Sequence, residues 1–196
     1  MFIEQAKRIV ERMTGIRRPS KEALPDLVQK RKGTTSRFRD DGVTPNNPVL
    51  PLVLYRNAVV LNQSYDPAAV IEEIFASNRW CDSWRNGVYD FRHFHTMTHE
   101  VLGIARGHVK VEFGGAKGKE ITLKAGDVAV LPAGTSHRRV SASTDLLVVG
   151  AYPRQGKYDE PRPGEIDPDN ARAAVSKVKC PKTDPLYGRT GPLLSL

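Results

Sequence analysis

Two short segments between residues 87 and 141 constrain this chain more than any other part of its sequence. The first segment carries His93, His95 and Glu100, and the second carries His137. These four residues include three of the chain's five histidines and lie among mostly apolar neighbours. This grouping is typical of the two halves of one metal site, for which the rest of the chain is the scaffold.

The spacing predicts how these side chains converge. Alternate side chains of a strand share a face, so His93 and His95 are expected to point the same way. A turn over residues 96–98 would bring Glu100 back on the adjoining strand, beside the two imidazoles. His137 follows a Pro-x-Gly turn, which can reverse the chain and return this fourth side chain to the same cavity.

Three neutral imidazoles and one carboxylate predict a site for one divalent transition metal ion. The set suits Fe, Mn, Ni, Zn or Cu, and it can leave positions open for water or substrate. A single histidine in a β protein is more often packed or solvated. Two histidines on one strand face beside a buried carboxylate favour a metal, because an unpaired buried charge is costly.

The remaining two histidines of the region are expected to lie outside the site. His108 alternates with apolar residues and is predicted on the solvated face of a strand. His99 is next to Glu100 and should point away from it. It is the reserve ligand if the preceding turn is one residue shorter.

The two segments resemble the two sequence motifs of the cupin superfamily, G-x5-H-x-H-x4-E-x6-G and G-x5-P-x-G-x2-H-x3-N. Every specified position matches except the last, where Ser141 stands in place of Asn. The resemblance implies an all-β fold, an RmlC-like jelly-roll barrel of six to eight strands with the ion near its middle. It also implies that the metal ligands are His93, His95, Glu100 and His137.

Further runs resemble the YjlB-like group of single-domain cupins, over about residues 40–193. They are DDG and PNNP before the barrel, WRNG and HEVLG around the first motif, VVGAYP after the second, and DPLYG and GPL near the end. This group is largely uncharacterised, so the resemblance says little about a substrate.

Length and composition fit one soluble domain with extensions. The chain has 196 residues, 39% of them apolar, and no apolar run long enough to span a membrane. Cys81 and Cys180 stand far apart and form no C-x-x-C motif. We therefore expect two reduced thiols in a cytoplasmic protein.

The net charge of +8 is concentrated in the first part of the chain. Residues 1–40 hold 11 Lys or Arg against 5 Asp or Glu, whereas residues 41–196 hold 19 against 17. The basic stretch lacks interleaved aromatic residues and any motif that reads nucleic acid, so no nucleic-acid partner is expected. A solvated, partly helical arm is the better interpretation.

Three parts are predicted along the chain. Residues 1–48 form a basic, partly helical N-terminal extension. Residues 49–153 form the barrel, with the metal site inside it and a covering helix over residues 67–78 that begins at an Asp-Pro capping pair. Residues 154–196 form a C-terminal extension with a helix over 169–177, and its last apolar residues are expected to dock on the barrel or on a partner subunit.

Short strands separated by turns are predicted for the barrel. They are Tyr89–His95, Glu100–Arg106, Val109–Phe113, Ile121–Leu123, Val128–Leu131, His137–Val140 and Leu146–Tyr152, after an opening strand within Val49–Leu61. Trp80 and Trp84 are expected in the core rather than at the mouth of a pocket. An amphipathic helix is predicted for residues 1–14 and a helical turn near residues 24–30.

The leading functional hypothesis is a metal-dependent enzyme that acts on a small anionic or enolic substrate, with dioxygenase-like or related lyase or isomerase chemistry. Glu100 would moderate the charge of the ion. Tyr89 shares the inward parity of His93, and Arg139 shares that of His137. Both are candidate catalytic residues together with Glu100. Arg139 is suited to bind a carboxylate through two hydrogen bonds unless it is only a charge at the rim.

Two alternatives remain open. The barrel can be a small-molecule or metal-binding module without turnover, or a structural domain whose basic leader binds an acidic partner. No membrane partner is expected. Exposed sheet edges and the two extensions favour a homodimer over a monomer.

Overall fold

The structure, a computed structural model, describes residues 17–153 and 158–195. Its strands are β1 (Thr34–Ser36), β2 (Leu52–Tyr55), β3 (Trp80–Asn86), β4 (Glu100–Arg106), β5 (His108–Phe113), β6 (Lys119–Lys124), β7 (Val128–Leu131), β8 (His137–Ala142) and β9 (Leu147–Pro153). Its α-helices are α1 (Pro67–Ser77) and α2 (Pro168–Lys177), and its 3-10 helices are Lys21–Leu27, Gly115–Lys117 and Pro192–Ser195.

The strands form two antiparallel sheets that pack face to face as a jelly-roll barrel, which confirms the predicted all-β fold. One sheet has six strands in the order β1-β2-β7-β4-β9-β3, and the other has three in the order β6-β5-β8. The described residues contain nine strands rather than six to eight. The larger number arises because β1 and β3 extend the two edges of the larger sheet.

Strand β4 shows how the sequence fills the barrel. Leu102 and Ile104 point inward and are buried in the core between the sheets. Val101 and Ala105 point to the opposite face, into a second core. The predicted alternation is confirmed, and Glu100 therefore enters the barrel interior on the same face as Leu102.

Helix α1 covers the outer face of the larger sheet. Asp66 caps its first turn by accepting a hydrogen bond from the N–H of Ala68 at 3.1 Å, as the Asp-Pro pair predicted. Ile71 and Phe75 pack so closely on Gly103 of β4 that an added Cβ would lie 2.6 Å and 3.1 Å from them. Helix α2 is also capped by an aspartate, and both helices lie within one residue of their predicted bounds.

The segment before β4 is not the regular strand that was predicted over Tyr89–His95. One β-bridge joins His93 to His137. The N–H of Phe94 donates to the carbonyl of Pro161 at 3.2 Å rather than to a neighbouring strand. The C-terminal extension thus takes a hydrogen-bonding position that a further strand would need at Phe94.

Strand β3 is a second departure from the sequence-based prediction, which includes no strand over residues 80–86. It pairs with β9, and its register shifts between Cys81 and Trp84. Only part of the strand alternates between buried and exposed residues, because the shift interrupts the two-residue period.

Both ends of the described chain pack on the face that α1 covers. Leu24 and Leu27 from the first 3-10 helix are buried there, together with Leu186 and Leu193 near the C-terminus. The helix predicted for residues 1–14 lies outside the described residues. Within the described ranges, no helix has the length and apolar character that crossing a membrane requires.

Candidate metal centre

Three segments of the chain bring the four predicted ligands into the barrel interior. Glu100 opens β4, His137 opens β8, and the two other histidines precede β4. The main chains of His93 and His137 exchange two hydrogen bonds, at 3.3 Å and 3.0 Å. The N–H of Gly134 donates to the carbonyl of His95 at 2.7 Å, so the Pro-x-Gly turn is anchored to the first motif.

The four side chains form one buried cluster. One ring nitrogen from each of His93, His95 and His137 lies within 4.8 Å of the others. The Oε2 atom of Glu100 is 3.3 Å from Nε2 of His95 and 3.2 Å from Nε2 of His137. All four residues are at most 4% exposed.

Main-chain carbonyls orient the three imidazoles. In each one, Nδ1 faces a carbonyl oxygen: that of Phe91 at 3.3 Å for His93, that of Thr135 at 3.3 Å for His137, and that of Asp159 for His95. A carbonyl can only accept, so this arrangement favours a proton on Nδ1. The lone pair of Nε2 is then directed at the shared centre, as a metal requires.

Burial and mutual proximity set the charges in the cluster. Burial, and then the neighbouring His137, lower the pKa of His93 to about 3, so this imidazole is neutral. Burial opposes charge on His95 as well, but Glu100 outweighs it and raises the pKa of His95 to about 8. A metal ion that binds His95 would therefore displace the proton from Nε2, while Nδ1 keeps its own. Burial opposes ionisation of Glu100, yet the facing histidines hold its pKa well below the ordinary value.

Two polar atoms at the centre have no hydrogen-bond partner among the described residues. They are Nε2 of His95 and Oε2 of Glu100, which approach each other without the geometry of a hydrogen bond. Unpaired buried polar atoms are uncommon because each one costs free energy. Three imidazole nitrogens and one carboxylate oxygen that converge in this way fit a first-row divalent ion.

The cluster faces a cavity of about 230 Å³. Trp84, Tyr89, Tyr152 and Tyr158 supply aromatic surface to its wall, and Glu160 adds a carboxylate. A space of this size admits a small organic molecule that reaches the histidines from outside.

The two other predicted catalytic residues have different positions. Tyr89 lines the cavity, and its ring lies 5.2 Å from that of His93 in an edge-on contact. Arg139 does not line it. Its guanidinium lies 3.7 Å from Asp90, and both side chains are solvated at the rim. The structure therefore does not bring Arg139 to the centre, because its guanidinium lies beside Asp90 instead.

The reserve ligand and the solvated histidine lie outside the centre, as predicted. His99 is buried, where its Nδ1 accepts from the N–H of Ala133 at 3.0 Å and its Nε2 lies 2.9 Å from the carbonyl of Lys179. Both of its ring nitrogens are thus occupied. His108 is exposed on β5.

Sequence reasoning missed several residues of the cavity wall. Trp80 is in the core, as expected, but Trp84 lines the cavity and donates from Nε1 to the hydroxyl of Tyr152 at 3.0 Å. Tyr152 follows the inward residues of β9 at two-residue spacing, so strand parity could have found it. Tyr158 and Glu160 lie past the barrel, where no periodic pattern signals their position.

A jelly-roll barrel with three histidines and a glutamate gathered in its interior is the architecture of a cupin. The cupin domain family model matches residues 86–149, which include all four residues of the cluster. The chain is 36% identical over 167 residues to the uncharacterized protein YjlB of Bacillus subtilis strain 168, across 85% of this chain and 98% of that protein. The chain belongs to the cupin family as a single-domain member similar to YjlB, which confirms the predicted resemblance.

Solved structures with similarity to this chain include two enzymes. One is acireductone dioxygenase from Bacillus anthracis with a cadmium ion in its active center, at 18% identity and a TM-score of 0.33, over 45% of this chain and 59% of that one. Another is a mutant oxalate decarboxylase from Bacillus subtilis, at 15% identity and a TM-score of 0.36, over 57% of this chain and 27% of that one. Scores this low carry no inference about activity.

Proposed function

We propose that this protein is a metal-dependent enzyme that acts on a small anionic or enolic organic substrate, with dioxygenase-like or related lyase or isomerase chemistry. The observation that carries the proposal is the buried convergence of three imidazoles and one carboxylate beside a cavity. His93, His95, Glu100 and His137 would hold the ion. When bound, such an ion supplies a Lewis acid and, if it is redox-active, a centre for dioxygen chemistry.

Side chains of the cavity wall would bind and orient the substrate. Tyr89 stacks on Phe91 with ring centres 4.7 Å apart and offers a flat apolar surface to a planar molecule. Tyr152 is held by Trp84, and burial, then the nearby Glu100, raise its pKa. Tyr152 therefore stays protonated near neutral pH and can donate a hydrogen bond inside the cavity.

The charge balance favours a monoanion or an enol over a dianion. A divalent ion combined with ionised Glu100 leaves a single net positive charge, and Glu160 adds a further carboxylate to the wall. Arg85 also lines the cavity, but it binds Glu72 at 2.6 Å and Asp66 at 2.7 Å. Those two carboxylates already balance its charge.

Metal analysis and turnover test this proposal together. Protein purified under anaerobic conditions is expected to carry about one transition metal ion per chain. Inductively coupled plasma mass spectrometry measures this metal content. Oxygen consumption and product analysis then follow against a panel of small keto acids, hydroxy acids and enediols. His95→Ala should lose both metal and turnover, whereas His108→Ala, at an exposed position on β5, should lose neither.

The outcomes separate the proposal from its alternatives. Bound metal without turnover across the panel would favour the binding module without catalysis. Folded wild-type protein that takes up no metal would overturn the proposal.

A further inference from the structure

A strap that we define as residues 158–162 runs beside the segment that carries His93 and His95. The carbonyl of Pro161 accepts from the N–H of Phe94 at 3.2 Å. The guanidinium of Arg162 lies 3.8 Å from the ring centre of Phe91. The strap follows the barrel in sequence, yet it hydrogen-bonds to the chain between two of the candidate ligands.

Asp159 makes the densest set of contacts in the strap. Its carboxylate accepts three hydrogen bonds from the turn after His95: from the N–H of Thr96 at 2.8 Å, from the hydroxyl of Thr96 at 2.6 Å and from the N–H of Met97 at 3.1 Å. Its main-chain carbonyl faces Nδ1 of His95. One residue thus fixes both the turn and the ring.

The source of this carbonyl sets His95 apart from the other ligands. His93 and His137 each face the carbonyl two residues before them in the chain. For His95 that carbonyl would belong to His93, and it accepts the N–H of His137 at 3.0 Å instead. A carbonyl 64 residues further along the chain takes its place.

We propose that Asp159 is a positioning residue for His95. Its carboxylate locks the strap onto the turn, and its carbonyl then holds the proton of His95 on Nδ1, which leaves Nε2 directed at Glu100 and the centre. This assignment rests on the proposed function, because it needs His95 to be a metal ligand. It extends the site beyond the barrel and into the C-terminal extension.

Cobalt(II) binding to the full chain tests the assignment without any substrate. Affinity is measured by competition with a coloured chelator, and the visible spectrum of bound cobalt reports the ligand geometry. Asp159→Ala should weaken cobalt binding about 10–100-fold and alter the spectrum, as loss of a group that orients a ligand does. Asp159→Asn keeps an oxygen for the two N–H donors and should restore most of the affinity.

Two further variants complete the design. Asp169→Ala removes a carboxylate from the same extension, but one that is 90% exposed and paired with Arg172, and it should leave cobalt binding unchanged. Thr96→Val removes one of the three hydrogen bonds without altering Asp159. It should cause a smaller loss in the same direction, and it decides the question if Asp159→Ala does not fold.

Each result bears on the assignment. Wild-type affinity and spectrum in Asp159→Ala, or in Thr96→Val where the first variant fails to fold, would overturn the role of Asp159 and leave the proposed function standing. If Asp159→Asn binds cobalt as weakly as Asp159→Ala, the assignment would also be overturned, because the hydrogen bonds to the carboxylate would not explain the loss of affinity. Wild-type protein that binds no cobalt would overturn both proposals.

Discussion

Single residues at the centre act through charge as well as position. Glu100 is ionised although it is buried, because two imidazoles face its carboxylate. A bound divalent ion would favour the same charge state more strongly. The carboxylate of Glu100 is therefore in the charge state that a bound cation requires.

Removing the charge of Glu100 while keeping the shape of its side chain should weaken metal binding. Glu100→Gln is expected to reduce affinity for cobalt(II) or zinc(II) by at least about tenfold, because a neutral amide oxygen is a poorer ligand than a carboxylate. Chelator competition measures the change. Glu120→Gln, at a half-exposed position on β6, serves as the control and should bind as the wild type does. Equal affinity of Glu100→Gln and wild type would remove Glu100 from the ligand set.

The sequence predicts the candidate ligands better than it predicts the residues that orient them or line the cavity. The four ligand positions follow from fixed spacings, since each lies close to a turn whose residues the sequence also shows. The role of Asp159 depends on its contact with His95, which lies 64 residues earlier in the chain. No local pattern encodes such a contact, and the same holds for the cavity position of Glu160.

Whole elements were predictable where one period holds from end to end. Strands β4 and β7 coincide with their predicted bounds, because each lies in the middle of a sheet and pairs on both sides. Strand β3 lies at an edge, and its shifted register conceals the alternation. The stretch Tyr89–His95 has strand-like spacing, but it forms a single bridge to β8, and the strap accepts the N–H of Phe94.

Glu112 on β5 links two elements next to the centre, and this link should depend on pH. It binds Arg92 at 2.6 Å, on the segment before β4, and Arg138 at 2.9 Å, on β8. Its hydrogen bond to Arg92, above all, lowers the pKa of Glu112 from 4.5 to about 2, although partial burial opposes the shift. The stabilisation is therefore present above about pH 4.5 and is lost as the pH falls towards 2.

Urea unfolding of Glu112→Gln and wild type at several pH values measures this contribution. The variant should be less stable by about 1–2 kcal/mol near neutral pH, and the difference should shrink below pH 4.5. Glu120→Gln loses only a half-exposed pair with Lys110 and should differ little from wild type at any pH. A difference for Glu112→Gln that stays constant down to pH 3 would contradict the assignment.

The contact between α1 and β4 makes a separate prediction about packing. Gly103→Ala places a methyl group 2.6 Å from Ile71, so the helix must shift, and a loss of about 1–3 kcal/mol in the free energy of unfolding is expected. Gly87→Ala is the matched control, because its added carbon meets nothing closer than 3.8 Å. Denaturant unfolding measures the stability of both variants. Equal stability would show that the interface between α1 and β4 can accommodate the added methyl group.

At the scale of the whole molecule, a buried aspartate ties the C-terminal residues to the barrel. Asp184 is 0% exposed. It accepts from the hydroxyl of Tyr55 on β2 and from the N–H groups of Leu186, Tyr187 and Leu193. A carboxylate with this many donors can stay buried without a cation beside it.

Removing this carboxylate should destabilise the fold as a whole. Asp184→Ala leaves a buried tyrosine hydroxyl and several N–H groups without an acceptor, so a loss of about 2–4 kcal/mol is expected. Thermal and denaturant unfolding measure it. Asp26→Ala, at an exposed position, should change stability by less than about 0.5 kcal/mol. A similar effect of the two substitutions would show that the C-terminal segment contributes little.

The homodimer expected from the sequence stays a prediction, as do the three domain boundaries. Light scattering of the purified full chain measures the mass directly. A mass of about one chain at micromolar concentration would contradict the dimer.

The strap lies outside the part of the chain that the cupin family model covers. The match to the cupin model ends at residue 149, so a minimal barrel cut to that match would keep all four candidate ligands and discard Asp159, Tyr158 and Glu160. Under the two proposals, homologues with the same signature but different tails would share the four candidate ligands and differ in the cavity wall and in what orients His95. On the proposed function, differences in substrate preference are expected in this tail, which the family model does not cover.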